Sequence, residues 1–348
     1  MTAKIVIVGA GSVGAYVGGS LQLAGAEVLM LGRSRMRERI LRFGLCLSDL
    51  QGWRASLGAA QVNYTEDPAL MADAALIIVA VKSADTAVAA ASILAHAYPA
   101  AVILSLQNGV GNAELLRATL PGRTVLAGMV PFNVLQTPDG RLHRGTEGEL
   151  MVEASPAIQR FLPCFAKARL PLIERTDFVA VLWGKLLMNL NNGVNALSDV
   201  PLKTELAQRA YRRCLALLIE EAFSIVTAAG IRPVKMAKIG PRWLPWVLRL
   251  PDWLFQRLAA ATLRIDPEAR SSTWEDLQAG RRTEVDYLNG AVLHLAESLG
   301  RDAPANRRMV ALIRNAEAGR QPALSGEALL AELMSSVSFS LSSSSTPS

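Results

Sequence analysis

The segment KLLMNLNNGVNALSDV (185–200) places one lysine and four asparagines in an apolar stretch of helical length. The four amides are those of Asn189, Asn191, Asn192 and Asn195. Asparagines are poor helix formers, and a lysine that is buried among leucines loses hydration, which lowers its pKa. At 100° per residue, Asn189 and Asn192 share the helix face of Lys185, whereas Asn191 points elsewhere. Lys185 therefore either extends its ammonium group to water along an apolar helix or supplies charge and a proton in an amide-lined cavity.

A glycine-rich motif follows the apolar run KIVIV (4–8) and precedes a helical pattern. Its residues are Gly9, Ala10, Gly11, Ser12, Val13 and Gly14. In a dinucleotide-binding turn, Gly9 permits the tight turn, Gly11 lets a pyrophosphate approach the backbone, and Gly14 lets the helix pack closely on the strand. The helix amino terminus presents N–H groups to the phosphates. A chance cluster of turn glycines is the alternative, but the position between a strand and a helix favours a dinucleotide site.

Arg33 indicates which dinucleotide is bound. An NAD enzyme places a carboxylate near the end of the second strand, here EVLML (27–31), to bind the ribose 2′-hydroxyl. This chain has Gly32-Arg33-Ser34 at that point, and an arginine suits the 2′-phosphate of NADP. The alternative is a solvated arginine at the start of an arginine-rich helix. We predict NADPH as the cofactor.

Lys82 and Asn108 end two further apolar runs, AALIIVAVK (74–82) and AVILSLQNG (101–109). Ligands of open α/β sheets bind at the carboxyl ends of parallel strands, which is where both residues are expected. Turn chemistry alone would explain the sequence Asn108-Gly109. Together with the glycine-rich motif, however, the two residues favour a binding site.

The elements that must position these residues alternate between strand and helix as far as TVLAGMV (124–130), which predicts a doubly wound parallel sheet of the Rossmann type. From about Asp177, with Thr176 or Asp177 as a helix cap, the pattern is almost entirely helical. We therefore predict an α/β fold with an NADP-binding domain at 1–175 and an all-helical substrate and catalytic domain at 176–333. The active site is expected in the cleft between them, and the serine-rich tail 334–348 is expected to be disordered.

The composition excludes several classes of protein. The 348 residues are 51% apolar and 19% charged, as in a globular protein, and the dispersed net charge of +6 with 5% aromatics favours an anionic small ligand over nucleic acid. The three cysteines and three histidines are scattered, which argues for reduced thiols and against a metal site. No signal peptide and no membrane span is evident, so a cytoplasmic protein is expected.

The segment WLPWVLRLPDWLFQRLAAATL (243–263) holds three of the six tryptophans. An amphipathic, tryptophan-bearing segment can lie on a membrane surface. Its prolines break it into short helices, however, which favours an element that covers the domain or forms a homodimer.

The ordered motifs GAGSVG, VAVKS, QNGVG, LWGKLLMN and RRTEVDYLNG resemble the ketopantoate reductase (2-dehydropantoate 2-reductase) family over roughly residues 3–315. That family reduces ketopantoate to pantoate with NADPH. The resemblance implies that the glycine-rich motif, Lys82 and Asn108 contact the dinucleotide, and that Asn108 also touches the substrate. It further implies that Lys185 donates the proton, that Asn189 and Ser272 bind substrate, and that Glu284 lies where cofactor and substrate meet.

Two positions leave alternatives open. The family has a substrate asparagine where this chain has Gly193, so either the substrate is larger than ketopantoate or Asn192 or Asn195 takes that role; we favour the second. Glu284 either faces Lys185 and keeps it protonated or belongs to a capping box, Thr283–Asp286, that opens a helix.

The predicted function is NADPH-dependent reduction of ketopantoate. The alternatives are a reductase of another 2-keto acid and an NADPH-binding protein without turnover. Retention of both Lys185 and Glu284 argues against the last alternative, because a protein that only binds NADPH needs no proton donor.

Overall fold

The chain divides into two units, Met1–Phe178 and Val179–Ser348, against a predicted boundary after residue 175. The computed structural model describes residues 3–236, 239–260 and 269–343. Each unit is described by itself.

The first unit contains twelve strands and five α-helices among its described residues. The strands are β1 Ile5–Val8, β2 Val28–Leu31, β3 Leu45–Asp49, β4 Arg54–Leu57, β5 Tyr64–Thr65, β6 Leu76–Val79, β7 Val102–Ser105, β8 Val125–Met129, β9 Val134–Gln136, β10 Arg141–Arg144, β11 Leu150–Glu153 and β12 Leu172–Arg175. The helices are α1 Ser12–Leu23, α2 Ser34–Phe43, α3 Thr86–His96, α4 Asn112–Thr119 and α5 Leu162–Lys167, with 3₁₀ turns at Ala59–Gln61, Pro68–Met71, Ser83–Asp85 and Gln159–Phe161.

Eight of the strands form one sheet in the order β12-β11-β8-β7-β6-β1-β2-β5. The six strands from β5 to β8 run parallel, which confirms the predicted Rossmann-type sheet. Residues of β1 alternate between two apolar cores: Ile5 and Ile7 belong to one, and Val6 and Val8 to the other. Because both faces of this β-branched strand are buried, its continuous apolar run predicted it correctly.

Two features of the first unit differ from the prediction. Strand β11 pairs with β8 antiparallel, so the sheet is not purely parallel. A second, four-stranded sheet in the order β4-β3-β10-β9 also lies in this unit. Helix α1 packs on it, since a side chain at Gly19 would lie 2.6 Å from the Leu45 side chain.

The second unit is helical, as predicted. Its helices are α6 Phe178–Asn189, which begins on the last residue of the first unit, α7 Asn191–Ser198, α8 Leu202–Ala207, α9 Arg209–Ala228, α10 Leu244–Leu248, α11 Asp252–Ala260, α12 Ser272–Gln278, α13 Asn289–Ser298, α14 Pro304–Glu317 and α15 Gly326–Ser343. A 3₁₀ turn at Val285–Tyr287 precedes α13. The capping-box interpretation of Thr283–Asp286 is therefore wrong: Thr283 Oγ1 accepts only the Val285 N–H, at 3.3 Å, and Glu284 opens this 3₁₀ turn.

The predicted disordered tail is also wrong for residues 334–343, which continue α15; residues 344–348 lie outside the described part of the chain. Leu329 and Leu333 are fully buried and hold this helix to the unit. Ser336 donates its hydroxyl to Leu333 O, 2.7 Å away, so a serine is accommodated within the helix. The stabilisation from burying these two leucines therefore exceeds the unfavourable helix propensity of the serines.

The tryptophan-rich segment forms α10 and α11, and Arg212 of α9 anchors it. The buried guanidinium donates to Leu248 O and Leu250 O at 3.1 and 2.8 Å and pairs with Asp252 at 2.8 Å. Trp243, Trp246 and Trp253 are nonetheless 61%, 64% and 69% exposed, so these rings do not cover the unit. Residues 261–263 of the segment lie outside the described residues.

Within the residues that the structure describes, none of the helices combines the length and the apolar character that crossing a membrane requires.

Candidate functional site

The three glycines of the motif have different structural constraints. Gly9 has φ +97°, and a Cβ there would lie 2.5 Å from the Val81 nitrogen of the neighbouring strand end. A Cβ on Gly14 would overlap Gly9 O and lie 3.1 Å from the Ile7 side chain, so α1 can approach β1 only with glycine here. A Cβ on Gly11 would meet nothing within 4 Å. The fold therefore requires Gly9 and Gly14, whereas it leaves the backbone at Gly11 accessible to a ligand.

The first turn of α1 is suited to an anion. Gly11 is the N-cap, no side chain caps the helix, and the first turn contains no acidic residue. The first helical hydrogen bond is Ala15 N–H to Gly11 O, so the N–H groups of Ser12, Val13 and Gly14 precede the helical ladder. Ala10 is buried, Val13 is half-buried against the core, and Ser12 accepts a hydrogen bond from Gln136 Nε2 of β9 at 2.9 Å.

Arg33 follows β2, the strand next to β1, as the sequence predicts. Its side chain is 84% exposed and donates to Asp85 Oδ2 at 2.8 Å. The Tyr64 hydroxyl donates to Arg33 O at 2.9 Å and fixes the backbone there. An exposed ion pair contributes little stability, so a phosphate can replace Asp85 at small cost. Sequence reasoning missed both Asp85 and Tyr64.

Lys82 and Asn108 follow β6 and β7, which are neighbours in the sheet, with Val79 opposite Ser105. The Lys82 side chain is exposed, and Asn108 is half-buried. Both residues therefore lie at the carboxyl ends of the parallel strands, where the glycine-rich motif follows β1.

A buried polar network joins the two strand ends. Gln107 Nε2 donates to Thr86 Oγ1 at 2.7 Å and to Val81 O at 3.2 Å, and Thr86 Oγ1 lies 2.9 Å from Asn112 Oδ1. Asn112 Nδ2 in turn donates to Asn108 O at 2.7 Å. Sequence reasoning missed this network; its signal is the polar residues within four positions of Lys82 and Asn108, namely Thr86, Gln107 and Asn112.

Lys185 lies in the last two turns of α6 in the second unit and is only partly exposed. Burial removes hydration from its ammonium group and lowers the pKa of Lys185 to about 8. A lysine that titrates this close to neutrality can hold a proton at physiological pH and release it to a developing oxyanion.

The asparagines after Lys185 differ in burial and in hydrogen bonding. Asn189 ends α6 and is buried, and Asn192 lies half-buried in α7, after a break at Leu190. The amide of Asn195 is fully buried and occupied, since Nδ2 donates to Glu205 Oε2 at 2.7 Å and Oδ1 accepts the Ser271 N–H at 2.8 Å. Asn195 therefore cannot replace the family asparagine missing at Gly193, and Asn192 remains the candidate.

Gly193 faces the core of the second unit. A Cβ there would lie 2.8 Å from Met309 Sδ and 3.8 Å from Ile313 Cγ1 of α14. The glycine lets α7 pack closely on α14, so helix packing explains this departure from the family pattern.

The remaining predicted substrate-side residues lie at the start of a helix and of a 3₁₀ turn. Ser271 caps α12 by accepting the Trp274 N–H at 3.1 Å, and Ser272 is the exposed first residue of that helix. Glu284 is half-buried, and its carbonyl accepts the Tyr287 N–H at 2.9 Å. No group of three His, Cys, Asp or Glu residues that could hold a metal occurs among the described residues.

Comparison with known proteins identifies the family. Residues 5–156 match the family model described as ketopantoate reductase PanE/ApbA, and residues 177–317 match the model of its C terminal part. The chain belongs to the ketopantoate reductase family. It is an oxidoreductase of the class that interconverts CH–OH and C=O groups.

Individual relatives agree with this family assignment. The 2-dehydropantoate 2-reductase of Halobacterium salinarum is 29% identical over 321 residues, covering 90% of this chain and 99% of the relative. The crystal structure of a PanE/ApbA family ketopantoate reductase from Ralstonia eutropha is 30% identical with a TM-score of 0.77, covering 91% of this chain and 99% of that one. A structure of D-mandelate dehydrogenase with NADH and anilino(oxo)acetate has a TM-score of 0.75 at 18% identity and shares the fold.

Proposed function

We propose that this protein reduces ketopantoate to pantoate with NADPH. The observation that carries the proposal is Lys185, a partly buried lysine whose pKa is lowered to about 8, on a helix that presents Asn189 one turn later. The matched family models and the relatives named 2-dehydropantoate 2-reductase support ketopantoate as the substrate.

The residues of the first unit fit a dinucleotide. The backbone at Gly11 and the first turn of α1 would hold the pyrophosphate, and Arg33 would bind the 2′-phosphate. Lys82 and Asn108, at neighbouring strand ends, would contact the remainder of the cofactor. When bound, NADPH supplies the hydride that reduces the ketone carbon.

The residues of the second unit would act on the keto acid. Negative charge develops on the ketone oxygen as the carbon is reduced, and a cation aimed at that oxygen stabilises the transition state most. Lys185 would donate a proton there and leave the alcohol. Asn189, Asn192 and Ser272 would hold the carboxylate and hydroxyl groups without neutralising the lysine, and Glu284 would favour its reprotonation.

The test follows NADPH absorbance with ketopantoate and with a panel of other 2-keto acids, in parallel with NADH. We expect ketopantoate to give the highest kcat/KM and NADPH to be preferred. A tenfold higher kcat/KM for a bulkier acid such as phenylglyoxylate would move the assignment to another 2-keto acid. NADPH binding without oxidation by any member of the panel would indicate a protein that binds NADPH without turnover.

We also propose that the protein forms a homodimer through the exposed tryptophans of α10 and α11. A family structure from Staphylococcus aureus, 16% identical, is described as dimeric. Sedimentation velocity should give a dimer for the wild type and a monomer for the double variant Trp246→Ser, Trp253→Ser. Val88→Ser, at another exposed apolar residue, is the control. A monomeric wild type that binds anionic vesicles would instead indicate a membrane-surface role.

A further inference from the structure

Glu205 of α8 is a glutamate that the proposed reaction does not use. It is fully buried, and it takes part in none of the ion pairs found among the described residues. Its Oε2 accepts the Asn195 Nδ2–H at 2.7 Å, and Asn191 also contacts the carboxyl group. The titratable groups that face it from α9 are Tyr211 and Cys214, neither of which supplies a positive charge. A buried carboxylate without a cation is costly, whereas a neutral carboxylic acid is not.

We propose that Glu205 is an uncharged carboxylic acid in the folded protein and a positioning residue for the substrate-binding side of the site, acting through Asn195 and Ser271. For the substrate, this inference rests on the proposed function.

The hydrogen bonds form a continuous chain from Glu205 to the predicted substrate residues. Glu205 holds the Asn195 amide, whose Oδ1 accepts the Ser271 N–H at 2.8 Å. Ser271 Oγ donates to Asn192 O at 3.0 Å and caps α12 through the Trp274 N–H. These hydrogen bonds thus fix the backbone of Asn192 and the first turn of α12, which begins with Ser272.

The acceptors around Glu205 fit a protonated acid. Glu205 Oε1 and Asn191 Oδ1 are both buried acceptor oxygens without a hydrogen-bond partner. A proton on Oε1 would give the pair a donor, so that the acid could donate to Asn191 while it accepts from Asn195. Burial raises the pKa of Glu205 to about 8, and the hydrogen bond from Asn195 only partly opposes this rise.

The first experiment compares Glu205→Gln with Glu205→Ala by their steady-state kinetics. Glutamine is neutral and keeps an acceptor for Asn195. Glu205→Gln should therefore keep a KM for ketopantoate close to that of the wild type, unlike Glu205→Ala. We expect Glu205→Ala to raise the KM for ketopantoate roughly 5- to 100-fold, as for loss of a buried hydrogen-bond partner, while the Kd for NADPH stays unchanged. In the wild type, KM should rise above about pH 8 as Glu205 ionises, whereas KM of Glu205→Gln should not follow this rise.

The matched control is Glu221→Gln. Glu221 is a half-buried glutamate that accepts the Ala305 and Asn306 N–H groups at the start of α14, and its hydrogen bonds do not lead to Ser271. This variant should lower the melting temperature without changing KM. The proposal is overturned if Glu205→Gln raises KM as much as Glu205→Ala at pH 6–7, since the acid would then act as a carboxylate.

The second experiment measures protonation without substrate. Isotope-edited infrared spectroscopy should detect a protonated carboxyl group at pH 6–7 that is absent in Glu205→Gln. A carboxylate signal from Glu205 at pH 6 would contradict the proposal. This measurement remains valid if another 2-keto acid is the substrate, whereas a wild type that does not oxidise NADPH with ketopantoate would contradict only the proposed function.

Discussion

Lys185 combines a lowered pKa with a position on an amide-bearing helix, and its replacement separates chemistry from binding. Lys185→Ala should reduce kcat by about 10²–10⁴, the usual contribution of a positioned acid, with the Kd for NADPH unchanged. Because the protonated form is required and the pKa is about 8, wild-type kcat should fall as the pH rises through that value. Stopped-flow turnover from pH 6 to 10 measures both effects. Lys203→Ala, at an exposed lysine, is the control, and near-normal kcat in Lys185→Ala would exclude the proton-donor role.

Arg33 determines the cofactor preference in our proposal. Its exposed guanidinium can exchange Asp85 for a phosphate, and a hydrogen bond to a charged group contributes ~1.5–3 kcal/mol. Arg33→Ala should therefore raise the Kd for NADPH roughly 10- to 150-fold and leave that for NADH nearly unchanged. The control for the fluorescence titration is Arg37→Ala. This variant removes an exposed arginine of α2 that pairs with Glu66. An equal loss for both cofactors would mean that Arg33 has a structural role.

At the residue scale, the sequence predicted positions better than it predicted contacts. Lys82, Asn108 and Arg33 each lie two or three residues beyond the end of a strand, close to the predicted positions, because strand periodicity and the following turn are local signals. The partner of Asn195 is Glu205, ten residues away, and the partner of Arg33 is Asp85. Such pairs depend on how elements pack, which one sequence does not specify.

At the scale of the strand–helix turn, two glycine substitutions should have opposite effects. Gly14→Ala places a methyl group against Gly9 O and Ile7, so it should lower the melting temperature. Overpacking of this kind typically costs about 1–3 kcal/mol in the free energy of unfolding. Gly11→Ala meets nothing within 4 Å and should keep the wild-type melting temperature, yet it should weaken NADPH binding. Calorimetry with a parallel binding titration tests the pair. Normal NADPH affinity in Gly11→Ala would contradict the assigned pyrophosphate site.

At the contact between α7 and α14, Gly193→Asn restores the family residue but should not restore a substrate contact. Its side chain would be directed at Met309 and Ile313, so we expect lower stability and an unchanged order of preference among 2-keto acids. Thermal unfolding and the substrate panel measure these two outcomes. Met309→Ala in the same background should recover stability, and a gain in kcat/KM for ketopantoate would show that residue 193 faces the substrate.

The elements that the sequence did not predict are those formed by distant pairings. Strand β3 pairs in parallel with β10, almost one hundred residues later in the sequence. Local periodicity does not predict a sheet that depends on such a distant pairing. The break at Leu190 and the extension of α15 through Ser343 likewise depend on packing, in the latter case on Leu329 and Leu333. The parallel strands were predicted because each is a continuous apolar run of its own.

For the whole molecule, the composition and the change of pattern near Asp177 were enough to predict two units, since a chain of this length exceeds a single core. Composition does not predict, however, how much the burial of a functional residue reduces the free energy of unfolding. Burial of Lys185 disfavours its charged form, and the corresponding free energy reduces the stability of the folded chain wherever the lysine is protonated in both states.

Lys185→Met should therefore be more stable than the wild type at pH 7, although we expect it to be inactive. Lowering the pKa from 10.5 to about 8 corresponds to roughly 3 kcal/mol. The folded state releases its proton near pH 8 and the unfolded state near 10.5, so wild-type stability rises between these values and the advantage of methionine shrinks. Urea unfolding at pH 7, 8.5 and 10 measures this change, with Lys203→Met as the exposed control. An advantage that stays constant with pH would mean that methionine improves packing and that Lys185 carries no desolvation cost.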